Sequence, residues 1–70
     1  MKVRKNDVVL VGWNDTDKKD IALVIGVSSG GKDIEVYFPL TKGPLGRNVM
    51  VLDNQDQIRK VVQHIDFDAM

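Results

Sequence analysis

The sequence predicts a small, mainly β protein, and three observations support this fold class. Four short apolar runs rich in β-branched and aromatic residues occupy positions 8–11, 21–25, 34–38 and 49–52. Clusters of Gly, Asp, Asn, Pro and Ser separate the runs, as turns separate strands. The third run also alternates between apolar and polar residues, which is the period of a half-buried strand. Together these features favour a small barrel or a rolled antiparallel sheet.

The elements follow in order along the chain. We expect the first strand at about 7–13, the second at 21–27, and the fourth at 48–52. The run at 8–11 is continuous, which indicates either burial on both faces or a strongly curled strand. Segment 14–20 is wholly polar, so we expect it to be an exposed loop. Gly26 lies inside the second strand and predicts a bulge or a sharp bend there.

The region from 28 to 38 predicts a hairpin and its second strand. Two adjacent glycines within 28–32 provide the positive φ angles that a tight connection needs. In the third strand, Ile34, Val36 and Phe38 should point to one face. Glu35 and Tyr37 should point to the other face, which predicts an exposed aromatic side chain at Tyr37.

The C-terminal segment is compatible with two structures. The apolar residues of 54–65 recur with the spacing of an amphipathic helix, and Asn54 is a suitable N-cap. Alternatively, a short helical turn near 54–58 leads into a fifth strand at 59–63. We favour the strand, because the edge of a four-stranded rolled sheet must be paired or covered.

This order of elements resembles the small barrels of the SH3-like superfamily. The polar segment 14–20 resembles the long first loop of those barrels, 28–32 their middle hairpin, and 53–58 their helical turn before the last strand. The resemblance covers about 6–62 and concerns layout alone. It implies a five-stranded barrel, and it matches no specific functional branch of the superfamily.

Composition restricts the classes of function. The chain has 70 residues, which indicates one domain with its core at about 6–62, and it contains no cysteine and one histidine. Disulfides and thiolate metal sites are therefore excluded, and we expect no cofactor. No run approaches the ~20 apolar residues of a membrane-spanning helix, so we expect a cytoplasmic protein. Basic and acidic residues are equal in number, which disfavours nucleic acid as a partner.

Two segments resemble ligand-binding motifs without completing them. Segment 26–33 nearly matches a phosphate-binding loop, but Asp33 stands where a hydroxyl is needed and a strand follows instead of a helix. Asp15, Asp17 and Asp20 suggest a calcium loop, but its central glycine and closing carboxylate are missing. We interpret both segments as turns. His64 lacks a recognisable nucleophile or orienting carboxylate, so we expect no enzymatic activity.

The remaining candidates point to binding. We expect a non-catalytic accessory module that binds another protein, with Trp13 as either a plug at the barrel end or an anchor for the partner. The candidate binding residues are Trp13, Tyr37, Asp15, Asp17 and Arg47. An exposed strand edge that accepts a partner strand is a second possible surface.

Two alternative functions remain open. The first is a small nucleic-acid-binding barrel, in which basic residues contact phosphates. Its candidate residues are Lys2, Arg4, Lys5, Lys42, Arg47, Arg59 and Lys60. The second is a homo-oligomeric structural component, such as a phage or small bacterial protein, since the chain is short and its strands are apolar.

Overall fold

Five β-strands make up the regular structure of the chain. A computed structural model describes residues 3–13, 17–40, 46–52 and 57–67. The strands are β1 (Asp7–Gly12), β2 (Lys19–Val27), β3 (Ile34–Tyr37), β4 (Val49–Leu52) and β5 (Ile58–His64). The prediction of a mainly β protein is therefore confirmed, and each predicted strand is present with bounds shifted by two residues or fewer.

All five strands belong to one antiparallel sheet with the order β4-β3-β2-β1-β5. The sheet is not closed into a barrel, so that part of the prediction is wrong. Closure requires hydrogen bonds between the two edge strands. In the described part of the chain, β4 pairs with β3 and β5 pairs with β1, and each edge strand leaves its other side unpaired.

Bulges bend the sheet around its core. The β2–β3 ladder shifts register between Val24 and Gly26, which confirms the irregularity predicted at Gly26. The β1–β5 ladder shifts twice, between Val8 and Val9 and between Leu10 and Val11. Each extra residue increases the local twist and bends its strand. This curvature buries one face of a single sheet without closing the ring of hydrogen bonds.

The connection between β2 and β3 is the tight hairpin that the sequence predicts. The Ser28 N–H donates to the Asp33 carbonyl (2.9 Å), and the Gly31 N–H donates to the Ser28 carbonyl (2.8 Å). Gly30 and Gly31 have φ angles of 87° and 73°. These angles lie in the left-handed region, which glycine enters without the steric cost of a Cβ atom. The segment that resembles a phosphate loop is thus a hairpin turn.

The C-terminal segment is a strand, so the alternative of a helix over 54–65 is wrong. Ile58 is buried and Val61 is packed against the core, although they are three positions apart in the chain. In an unbroken strand, an odd spacing would place the two side chains on opposite faces. The register shift between Leu10 and Val11 restores both to the inner face. Of the turn predicted near 54–58, Gln57 is in 3₁₀ conformation, Ile58 is already part of β5, and 54–56 lie outside the described residues.

The core lies on the inner, concave face of the sheet. Its residues are Val3, Val9, Val11, Ala22, Val24, Ile34, Val36, Phe38, Leu52 and Ile58. Phe38 is the largest fully buried side chain, and Trp13 packs beside it with ring centroids 6.1 Å apart. None of the described residues forms a helix long and apolar enough to cross a membrane.

Candidate functional site: the outer face of the sheet

The structure spreads the predicted partner-binding residues over different parts of the molecule. Tyr37 lies on the outer face of β3 and is 38% exposed. Asp17 is exposed before β2, and Arg47 is exposed before β4, an edge strand. Trp13 follows β1 and is half-buried, and Asp15 lies outside the described residues. Of this set, Tyr37 alone belongs to the outer surface of a central strand.

Trp13 has its polar group already engaged within the fold. Its indole Nε1–H donates to Oδ2 of Asp20 at 2.8 Å, and its ring packs against the core beside Phe38. Asp20 was expected in an exposed loop, but it lies in β2 and is 5% exposed. That expectation is wrong because the indole N–H gives the buried carboxylate a hydrogen-bond donor. This geometry supports the interpretation of Trp13 as a plug at one end of the sheet.

A second buried carboxylate, Asp7, connects the start and the end of the described chain. Asp7 is 2% exposed, and its Oδ1 lies 2.6 Å from Nδ1 of His64. Its Oδ2 accepts the backbone N–H of Arg4 at 2.8 Å. A carboxylate only accepts, so Nδ1 of His64 must carry the hydrogen. His64 was expected to lack an orienting carboxylate, and that expectation is wrong, because Asp7 contacts it.

The aspartate–histidine pair closes the β1–β5 ladder. Asp7 and His64 are cross-strand neighbours in that ladder, and the Ile65 N–H donates to the Asn6 carbonyl at 3.0 Å just beyond them. The sequence distance between the two side chains is 57 residues. No local motif could reveal a pair that only the β1–β5 register brings together.

The outer face of the sheet carries a continuous apolar surface. The ladder pairs Val49 with Tyr37, Tyr37 with Leu23, and Leu23 with Val8, so four apolar side chains form one row across β4, β3, β2 and β1. Directly paired residues share a face and touch. The adjoining pair Leu10–Ile21 extends this row along the strands. We call these six residues the outer apolar surface.

Three of these six side chains are substantially exposed. Ile21, Tyr37 and Val49 are 40%, 38% and 45% exposed, and Val8, Leu10 and Leu23 are half-buried. In an antiparallel sheet with one face in solvent, the residues on that face are normally polar. The apolar runs are evident in the sequence, but which of their side chains face outward is not. A continuous apolar run contains no information about faces, which is why this surface escaped prediction.

Charged side chains border the outer apolar surface at two opposite corners. One corner is basic: Lys60 pairs with Leu10, and Lys19 pairs with Gly12, over which the side chain of Arg59 lies. We call Lys19, Arg59 and Lys60 the basic corner. The other corner carries Glu35, which pairs with Gly26 on the outer side of β3.

A shallow groove of about 360 Å³ occupies the acidic corner. It is lined by Gly26, Val27, Ser28, Asp33, Glu35 and Val51. Gly26 has no side chain to fill this groove. A Cβ atom at this position would have one neighbour, the Cβ of Glu35, at 3.8 Å. No ion pair engages Asp33 or Glu35 among the described residues. We call this feature the acidic groove.

The basic residues of the nucleic-acid alternative do not form one surface. Arg4 and Lys5 precede β1, Arg59 and Lys60 lie on β5, and Arg47 precedes β4. Strands β4 and β5 are the opposite edges of the sheet. Lys2 and Lys42 lie outside the described residues. A nucleic-acid backbone needs a connected basic path, and the described residues place these side chains in three separate regions.

Gly12 is required by the close approach of Arg59. A Cβ atom at Gly12 would lie 2.5 Å from Nε and 2.9 Å from Cγ of Arg59. Gly12→Ala should therefore lower the free energy of unfolding by about 1 kcal/mol, since Arg59 must move aside. In an Arg59→Ala background the same substitution should raise it by about 0.5–1 kcal/mol, because alanine loses less conformational freedom than glycine on folding. Urea denaturation of the four proteins measures both effects, and equal effects in the two backgrounds would contradict the contact.

Comparisons with known proteins identify no relative. No protein-family model matches this chain, and neither a curated protein nor a solved structure shows significant similarity to it. The resemblance to SH3-like barrels therefore remains a prediction based on layout. The function must be argued from the surface itself.

Proposed function

We propose that this protein is a non-catalytic protein-binding module whose binding site is the outer apolar surface. One observation carries the proposal: the row Val49, Tyr37, Leu23, Val8 crosses four strands on the solvent side of the sheet. Contiguous apolar surface exposed to solvent often marks an interaction site. Burying it against a partner would remove that area from water, which is favourable at roughly 25 cal/mol per Å².

The composition of the surface is suited to a protein partner. Tyr37 is central to the row, and tyrosine is enriched among the residues that dominate binding energy. Its ring offers apolar area, and its hydroxyl offers a hydrogen bond at the same place. The basic corner and Glu35 form a polar rim around the apolar centre, which is the usual arrangement of a protein–protein interface.

The polar groups elsewhere in the fold support a binding role over a catalytic one. Asp7 and Asp20 are each held by hydrogen bonds that join segments of the fold, the first to Arg4 and His64 and the second to Trp13. The carboxylates of Asp7 and Asp20 are buried on the opposite face of the sheet from the row that carries the proposal. We propose that the protein binds its partner through the outer apolar surface. We also propose that this binding takes place in the cytoplasm.

Site-specific photo-crosslinking tests this proposal. A photoreactive phenylalanine derivative at position 37 samples the outer apolar surface, and the same derivative at position 67 is a matched control. Phe67 is also an exposed aromatic residue, but it lies beyond the end of β5. We expect a defined protein adduct from position 37 in cells that produce the protein, and none of the same mass from position 67. Mass spectrometry identifies the adduct.

Binding of the purified, identified partner should then depend on the same surface. Tyr37→Ala should raise the dissociation constant by about thirtyfold, the loss of affinity expected for a central interface residue. Phe67→Ala should leave it unchanged. The absence of an adduct at position 37, or equal adducts at both positions, would overturn the proposal.

A further inference from the structure

We infer that the partner of the outer apolar surface is a second copy of this chain, bound face to face about a two-fold axis. This inference rests on the proposed function, because it uses the same surface. Its basis is charge complementarity: the surface has the basic corner at one end of a diagonal and the acidic groove at the other. A second copy can supply the opposite charge at both corners.

The register of the sheet determines where the two-fold axis must pass. Lys60 pairs with Leu10, two residues beyond Val8 along β1. Glu35 lies two residues before Tyr37 in β3, and Tyr37 shares the row of Leu23 and Val8. The pair Val8–Leu23 is thus midway between Lys60 and Glu35 along the strands. It is also midway across the sheet, since β2 and β1 lie between β3 and β5.

The two-fold axis passes over the pair Val8–Leu23, parallel to the sheet and perpendicular to the line that joins Lys60 to Glu35. Rotation about this axis places the basic corner of one copy on the acidic groove of the other. Lys60 and Glu35 are separated by about 14 Å across the strands and about 13 Å along them, from the standard spacings of a sheet. Since these distances are nearly equal, the axis makes about 45° with the strands. The strands of the two copies then cross at close to a right angle, which is the orthogonal class of sheet packing.

This operation also places apolar groups on apolar groups. Tyr37 lies about 7 Å from the centre of the Val8–Leu23 pair, measured across the strands. The rotation brings it to a position about 7 Å from the same pair of the other copy, measured along that copy's strands. It thereby reaches the pair Leu10–Ile21 of the other copy. Each copy inserts the alkyl stem and ammonium of Lys60 at the acidic groove of the other, next to Glu35 and Asp33. Such an interface is isologous, with every contact occurring twice.

The size and net charge of the chain are consistent with self-association. The formal net charge is zero at pH 7, so two copies do not repel each other. A 70-residue chain buries a smaller fraction of its surface on folding than a larger domain does, and such chains are often stabilised by association. A face-to-face dimer would cover the apolar row that folding leaves exposed.

Charge reversal combined with sedimentation equilibrium tests the dimer. The unsubstituted protein should dimerise at micromolar concentration. Glu35→Lys and Lys60→Glu should each weaken the dimer at least tenfold, because each places like charges together at two symmetry-related contacts. The double variant E35K/K60E should return to within about threefold of the original dissociation constant, because it restores opposite charges.

A matched control separates local contact from net charge. Lys5→Glu changes the net charge as Lys60→Glu does, and Lys5 is exposed before β1. It should leave dimerisation unchanged. Both substituted residues are at the surface, and near-ultraviolet circular dichroism checks that each variant retains its fold. A dimer in which the double variant is no better than the single ones would overturn the axis.

A second measurement locates the interface directly. In a dimer mixed from isotopically distinct copies, intermolecular NOEs should join the Tyr37 ring to the methyl groups of Leu10 and Ile21. A protein that is monomeric at about 1 mM, the weakest association such an experiment would detect, would overturn the inference. In that case a heterologous adduct at position 37 would leave the proposed function standing. Absence of both the dimer and the adduct would remove both.

Discussion

Phe38→Ala should lower the free energy of unfolding by about 4 kcal/mol, the loss typical of a buried phenylalanine. Phe38 is fully buried and is the largest side chain in the core. It packs beside Trp13, and its own N–H donates to the Asn48 carbonyl at 2.6 Å. The substitution would leave a cavity where the end of β3 meets the plug at the end of the sheet. A chain of 70 residues has about 4–10 kcal/mol of stability, so the substitution would remove a large part of it.

The neighbouring residue provides the matched control. Tyr37 precedes Phe38 but points to the outer face. Tyr37→Ala should cost less than about 1 kcal/mol, as is usual for a surface substitution. Urea denaturation at nanomolar concentration, below the micromolar range in which the dimer should form, measures both variants. Equal losses at the two positions would contradict the assignment of inner and outer faces.

His64→Ala should lower the free energy of unfolding by about 2 kcal/mol, although His64 lies near the end of the last strand. Its side chain is 32% exposed, but its partner Asp7 is 2% exposed. The substitution leaves one oxygen of a buried carboxylate without its donor, and an orphaned buried polar group costs about 1–3 kcal/mol. The cost therefore arises at Asp7 rather than at the residue that is changed.

A double-mutant cycle tests this interpretation of His64. Gln63→Ala, at the exposed position before it, should cost less than about 0.5 kcal/mol. In an Asp7→Ala background, His64→Ala should also cost less than about 0.5 kcal/mol, because the carboxylate is already absent. Equal costs of His64→Ala in the two backgrounds would show that the pair makes no energetic contribution.

The aspartate–histidine pair has a consequence for the proposed dimer. In the described part of the chain β5 pairs with β1 and with no other strand, and it carries Lys60. Asp7 and His64 hold one end of the β1–β5 ladder, and the register of that ladder sets Lys60 opposite Leu10. Loss of the pair would loosen one end of β5. His64→Ala should therefore make the position of Lys60 less fixed, in addition to lowering the free energy of unfolding.

The candidate site was predictable at Tyr37 and hidden elsewhere. Alternation in the third run placed Tyr37 opposite Val36 and Phe38, and the structure has it on the outer face. Leu10 and Ile21 lie within continuous apolar runs, in which every side chain looks equally suited to the core. Trp13 was weighed as an anchor or a plug. Its hydrogen bond to Asp20 depends on a pairing of β1 and β2 that includes Lys19 and Asp20, the last two residues of the segment expected to be a loop.

Although the C-terminal segment stayed compatible with a strand or a helix, the amino-acid sequence alone determined the fold class, the approximate bounds of the first four strands, the hairpin at 28–32 and the irregularity at Gly26. These features depend on local preferences, namely the period of side chains, β-branched runs and the φ angles open to glycine. Only the tertiary structure decided that the sheet stays open, that Asp7 meets His64, and that one apolar face remains in solvent. Those outcomes depend on strand register and on bulges, which bring together residues far apart in the chain and which no local pattern encodes.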